Sequence, residues 1–177
     1  MKSIILAGFG GQGILFAGRQ LALSGMYTDK KVTWLPSYGA ESRGGTSNCT
    51  VIISDEEIGS PVVVNPDAAF VMSMPAYRKF APRVAPGGII IADSSMVTEK
   101  CGRTDISEHY VPATELAYEH KMQKSANVIM LGKLIKITGV FTFDELADSL
   151  RKGAGEKSKA DFLAANLKAL EIGFKHG

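Results

Sequence analysis

The sequence predicts a three-layer α/β/α domain on a mostly parallel sheet, with an antiparallel element at the 32–54 pair and a helical C-terminal third. Three observations carry that reading. Ile- and Val-rich runs alternate with helix-period segments at the start of the chain, the pattern of a sheet covered on both faces. Runs such as Gly88-Ile-Ile-Ile-Ala-Asp93 are continuously apolar, as strands buried on two sides must be. Thr142-x-x-Glu145 and Ser158-x-x-Asp161 each precede leucines at helical spacing, which marks helix starts. A chain of 177 residues with no internal repeat suits a single domain over 1–177.

Taken in order, Ser3 to Gly8 is a strand ending in glycines. Ile14 to Ser24 is a helix with Gly25 placed as its stop. Lys31-Val-Thr-Trp-Leu35 and Ser47 to Ser54 are β-branched and read as strands around the connection Pro36 to Thr46. Ala69 to Ser73 and Gly88 to Asp93 form a βαβ unit with Pro75 to Val84, which opens on proline and has room for about two helical turns. A short strand is expected near His109 to Val111, followed by a helix from Thr114. Ser125 or Asn127 caps a helix through Ile137 with Gly139 as its stop, and Gly153 to Lys159 reads as a solvated inter-helix loop. In the last helix Leu163, Leu167, Leu170 and Phe174 give one apolar face to lay on the sheet.

Twenty basic against eighteen acidic residues leave a net charge of +2, with no run of like charge, so nucleic acid is not an expected partner. Two cysteines, Cys49 and Cys101, are too few for a disulfide framework, a four-cysteine zinc site or an iron–sulfur ligand set. The first apolar run is only Ile4 to Ala7 and no stretch reaches eighteen apolar residues, so neither a secretory signal nor a membrane span is expected and the cytoplasm is the expected location. His109, His120 and His176 fall in no metal-ligand spacing, and no nucleophile elbow occurs. Cys49 reads as a small core residue.

Two stretches stand out. Gly8-Phe-Gly10-Gly11-Gln12-Gly13 fits G-x-G-x-x-G between a strand and a helix, a Rossmann-like start where free N–H groups and the helix dipole favour an anion. The same glycines also serve a tight turn and close helix packing, and both readings stand at this level. A dinucleotide site further needs an acid at the end of the second strand; Thr33-Trp-Leu-Pro36 has none, and Asp29 lies before the strand. The second stretch, Tyr38-Gly-Ala-Glu41-Ser-Arg43-Gly44-Gly45, combines a guanidinium fork suited to phosphate or carboxylate with a glycine pair that exposes backbone donors. A plain surface loop with a weak ion pair is the alternative.

Together the Gly8–Gly13 turn, Val32-Thr-Trp-Leu-Pro-Ser-Tyr-Gly39 and Glu41-Ser-Arg-Gly-Gly45 resemble the gamma subunit of 2-oxoacid:ferredoxin oxidoreductases. The resemblance continues through Gly59-Ser-Pro61, Pro66-Asp67, Pro86-Gly-Gly88, Val111 to Ala117 and Ala126 to Gly132, covering about residues 3 to 140. It departs from the family at Ala40, where a proline is expected before Glu41. The resemblance implies a gamma subunit beside alpha, beta and a ferredoxin-type delta subunit, in an enzyme that oxidatively decarboxylates a 2-oxoacid to an acyl-coenzyme A with ferredoxin as acceptor. Thiamine diphosphate, Mg2+ and iron–sulfur clusters would lie on those partner subunits. Residues Gly8, Gly10, Gly11, Gln12, Gly13, Tyr38, Glu41, Arg43, Gly44 and Gly45 would face sister subunits or coenzyme A. The Trp34–Gly39 and Asn48–Asp55 stretches resemble the 2-oxoglutarate or branched-chain members. A stand-alone Rossmann-type nucleotide-binding oxidoreductase is the other reading.

Overall fold

The computed structural model describes residues 1–38, 46–153 and 160–177, with only the main chain of Tyr38. Strands β1 (Lys2–Phe9), β2 (Lys31–Tyr38), β3 (Thr46–Ser54), β4 (Ala68–Val71), β5 (Ile89–Asp93) and β6 (Ser107–Val111) form one sheet in the order β2-β3-β1-β4-β5-β6. The β1–β4, β4–β5 and β5–β6 pairs are parallel, whereas β3 runs antiparallel to both β1 and β2. The expected mostly parallel sheet and its antiparallel 32–54 element are both present. Alternation along the strands divides two cores: Ile4, Leu6, Val51, Phe70 and Ile91 face one side, Ile5, Ala7, Val71, Ile90 and Ala92 the other. Phe70 is fully buried, and its burial by itself stabilises the fold by roughly 1.5–3 kcal/mol.

The two helical layers are unequal. Helices α1 (Ile14–Tyr27), α3 (Ala113–Glu119), α4 (Ala126–Thr138), α5 (Phe143–Gly153) and α6 (Ala160–Lys175) belong to the first core; the second is covered by α2 (Met74–Phe80) and the 3₁₀ turn Ala81–Arg83. Helix α2 starts as the sequence implies: Ser73 accepts a hydrogen bond from the Ala76 N–H and proline fills the first turn. The Thr142–Glu145 capping box closes at both ends, with Thr142 N–H donating to Glu145 at 2.7 Å and Glu145 N–H to Thr142 Oγ1 at 3.3 Å. Gly139 ends α4 with φ 62°.

Four local expectations are corrected. Gly25 does not stop α1, which runs to Tyr27; it lies buried within the helix, where a Cβ would meet Val32 Cγ2 of β2 at 2.5 Å. Ser125 is the N-cap of α4 as one of the two suggestions has it, but not through its side chain, whose hydroxyl donates to Asn166 Oδ1; Asn127 lies inside the helix and its amide donates to Gly13 O. Gly153 is the last residue of α5 and not loop. Helix α6 lies on α4 and α5 and not on the sheet, because Gly132 and Gly173 bring the α4 and α6 backbones together and α4 fills the position next to the strands. Accordingly every residue from Ala126 to Ile135 is buried, as expected of a helix covered all round. The Ser158-x-x-Asp161 cap begins outside the described residues.

Candidate functional site

Strands β1, β4, β5 and β6 all point the same way, so their carboxyl ends gather at one edge of the sheet. The connection leaving β1 goes by α1 over one face toward β2, and that leaving β4 goes by α2 over the opposite face toward β5. Between β1 and β4 the chain therefore opens a crevice at the switch point, the usual place for a ligand in an open α/β sheet.

The glycine turn fills the β1 side of this crevice. Gly11 and Gly13 have φ of 97° and 74°, which a side chain resists, and Gly13 is the residue that enters α1. Gln12 is a clamp: its Oε1 accepts from Phe9 N–H at 2.7 Å and its Nε2 donates to Met72 O at 2.8 Å, tying the end of β1 to the end of β4. Its amide is thus engaged within the fold. Gly8 is the position against which Gln12 Oε1 rests, with Ile14 Cδ1 2.9 Å from a Cβ placed there. Asn127 donates to Gly13 O at 2.9 Å and leaves its own Oδ1 buried without a partner. Gly10 and Gly11 are exposed, and nothing lies within 4 Å of a Cβ at Gly11. The turn therefore divides: Gly8, Gln12 and Gly13 serve packing, and Gly10–Gly11 present open backbone.

Residues Glu41, Arg43, Gly44 and Gly45 lie outside the described residues, as does the side chain of Tyr38. The register nonetheless fixes their anchors. Tyr38 pairs with Ser47, and Thr46 pairs with Phe9, so the β2–β3 connection leaves the sheet at the edge that carries the glycine turn. The glycine turn and the residues that flank the second stretch, Tyr38 and Thr46, thus lie at one end of the sheet, which their spacing in the chain does not reveal.

The crevice is a cleft of about 210 Å³ lined by Gly11, Gln12, Met72, Met96, Thr114, Gln123, Lys124 and Ala126. It sits where α1 and α4 begin, so the positive ends of both helix dipoles and the Lys124 ammonium favour an anion there. Lys124, Gln123 and Thr114 escape sequence reasoning because each is an ordinary surface residue until β6 and α3 carry it to this edge. Asp93, at the end of β5, is fully buried. It accepts from Thr114 N–H at 3.2 Å, Thr114 Oγ1 at 2.5 Å and Ser95 N–H at 3.0 Å, so it is committed to starting α3.

A nucleotide reading meets a topological obstacle besides the missing acid. Strand β3 is inserted between β1 and β2, so the end of β2 lies two strand spacings, about 9.5 Å, from β1. A ribose-reading residue there would stand one strand too far from the turn. Cys49 is core, as its strand position implies: it is fully buried and burial pushes its thiol up to about 11, where it is no nucleophile at neutral pH. Tyr77 donates to Glu108 beside Tyr110, and desolvation with that carboxylate raises its phenol further, leaving a neutral donor. Among the described residues no three His, Cys, Asp or Glu side chains gather around a common point suited to a metal ion, and no helix is long and apolar enough to cross a membrane.

Residues 3–176 match the family model described as pyruvate ferredoxin/flavodoxin oxidoreductase. The 2-oxoglutarate synthase subunit KorC of Methanocaldococcus jannaschii is 38% identical over 178 residues, covering 97% of this chain and 95% of KorC. The ketoisovalerate oxidoreductase subunit VorA of Methanothermobacter thermautotrophicus is 39% identical over 173 residues, 95% of this chain but only 35% of VorA. Among solved structures, the gamma subunit of a keto/oxoacid ferredoxin oxidoreductase from Geobacter sulfurreducens superposes with a TM-score of 0.83 at 28% identity, covering 98% of this chain and 96% of that one.

Proposed function

Since the chain belongs to the pyruvate ferredoxin/flavodoxin oxidoreductase family and is a gamma-type subunit of a 2-oxoacid:ferredoxin oxidoreductase, we propose that it completes an enzyme which oxidises 2-oxoglutarate to its acyl-coenzyme A. The observation that carries the choice of substrate is the near end-to-end correspondence with KorC; VorA, similar over a third of its own length, makes a branched-chain 2-oxoacid the competing substrate. Thiamine diphosphate, Mg2+ and the clusters belong to the alpha, beta and delta-type partners, and ferredoxin accepts the electrons. Among the described residues no three His, Cys, Asp or Glu side chains gather to hold a metal ion.

Its own contribution is at the crevice. Backbone N–H groups of Gly10–Gly11, the starts of α1 and α4 and Lys124 suit the phosphates of coenzyme A, and the residue types of Tyr38, Glu41, Arg43, Gly44 and Gly45 suit the same ligand. Subunit contact is the alternative role for the β2–β3 connection.

The test is reconstitution. The pure chain is expected to show no 2-oxoacid-dependent reduction of a viologen dye, and the enzyme assembled with its sister subunits to reduce it with 2-oxoglutarate in preference to branched-chain substrates. Arg43→Ala in the assembled enzyme removes a charge-assisted bond and raises the KM for coenzyme A about tenfold or more, with the melting temperature of the chain unchanged. An unaltered KM together with unaltered assembly refutes the role of Arg43; activity of the chain by itself refutes the subunit reading.

A further inference from the structure

On the side of the molecule away from the sheet, α5 and α6 leave a trough of about 580 Å³ lined by Phe143 and Arg151 of α5 and by Leu167, Lys168, Glu171, Phe174 and Lys175 of α6. Its floor is apolar. Phe143 and Phe174 meet edge to face with ring centres 5.5 Å apart, and both stay half-buried, as does Leu167. Leu170, Ala169 and Gly173, on the neighbouring face of α6, are fully covered by the fold. The apolar stripe read from the sequence is thus wider than the described residues cover.

The rim is positively charged. Lys168 and Lys175 share the single carboxylate of Glu171, so this triad carries one surplus cation; Arg151 is paired with Asp148. Among the described residues all of the lining comes from two helices, which makes two walls. The lining spans Phe143 to Arg151 on one helix and Leu167 to Lys175 on the other, about 12 Å each at helical rise. That length is two turns of a third helix. The segment 154–159 that joins α5 to α6 reads Ala-Gly-Glu-Lys-Ser-Lys and has no large apolar side chain with which to fill the floor.

We propose that this trough seats an amphipathic helix of a sister subunit, its apolar stripe on Phe143, Leu167 and Phe174 and a carboxylate set against Lys168 and Lys175. Helix-in-groove docking needs this combination of apolar floor and charged border, and the surplus cation fixes the sign of the partner. The inference rests on the multi-subunit reading above.

The test compares the full chain alone with the enzyme assembled from its subunits. Hydrogen exchange in α5 and α6 is expected to slow on assembly at Phe143–Arg151 and Leu167–Lys175. A charge-swapped variant, Lys168→Glu with Glu171→Lys and Lys175→Glu, keeps the internal ion pairs but makes the surplus charge negative. It should leave the melting temperature of the chain unchanged and raise the subunit dissociation constant about tenfold at low salt, less at high salt. Normal assembly with unprotected helices and an unchanged constant overturns the proposal alone, whereas a wild-type chain that joins no sister subunit overturns the functional reading with it. Protection that arises in the chain alone with rising concentration assigns the trough to a second copy and likewise overturns it.

Discussion

At the turn after β1, Gly13 is required by its φ of 74° and by the Asn127 amide standing where its Cβ would be; at the crossing of α4 and α6, Gly132 and Gly173 are ordinary helical residues, required because a Cβ on either would strike the other helix's backbone. Conformation governs the first region and interhelical distance the second. The turn can therefore yield locally, by strain at one residue and a shift of one side chain. The crossing has only main chain on both sides and must yield by moving whole helices.

The largest effect should come at the crossing. Gly173→Ala places a methyl against the Ile129 carbonyl, and parting the helices should cost about 3 kcal/mol or more, lowering the melting temperature of the isolated chain by roughly 6–12 °C. A fall of less than about 2 °C would mean that α6 moves away freely, and the contrast with the turn would collapse.

A smaller effect is expected at the turn. Gly13→Ala forces an L side chain into the left-handed region and pushes the Asn127 amide off Gly13 O, about 2 kcal/mol in all. Adding Asn127→Ala should relieve the contact but not the backbone strain, so a double-mutant cycle should return a coupling of about 0.5–1 kcal/mol. Full additivity would show that the amide is not part of what makes Gly13 necessary.

The smallest effect separates the regions by pH. Lys133 of α4, buried with its ammonium donating to His176 O at 3.0 Å and to Gly177 O, faces His109 of β6 and His176 after α6. Burial first, then the charge of Lys133, holds both imidazoles below their usual 6.5; Lys136 adds to the effect at His176. A lowered imidazole means that the unfolded chain takes up protons first, so stability is full above about pH 7.5 and falls as pH drops through 6.5 toward the folded-state values. Melting curves between about pH 5 and 8 should show this decline, and exchange should quicken in α6 before it does at Gly10–Gly13, where no side chain titrates. Lys133→Met should shrink the decline. A pH-independent melting temperature over that range would remove the two histidines from the account.

Much of the candidate site was legible because its chemistry is local. The Gly8–Gly13 turn announces itself by glycines between an apolar run and a helix-period segment, and the capping box at Thr142 by two residues three apart. Lys124 and Thr114 carried no such signal: a lysine and a threonine acquire a role here only through the ends of α4 and β5 that they flank. Gly25 misled for the converse reason, since a glycine after apolar helix positions reads as a stop unless the strand packed against it is known.

The amino-acid sequence by itself determined the strands, the order of the helices, the buried character of Cys49, the absence of an acid after β2 and the membership of a gamma-type family. Each of these depends on residues within a few positions of one another, or on composition, where hydrophobic period and backbone preference act directly. The tertiary structure alone decided that β3 slips between β1 and β2, that the connection after Tyr38 leaves the sheet beside the glycine turn, and that α6 rests on α4 instead of the strands. Those outcomes follow from pairing and close packing between segments far apart in the chain, where the winning arrangement is set by which surfaces fit and not by any one segment's own preference.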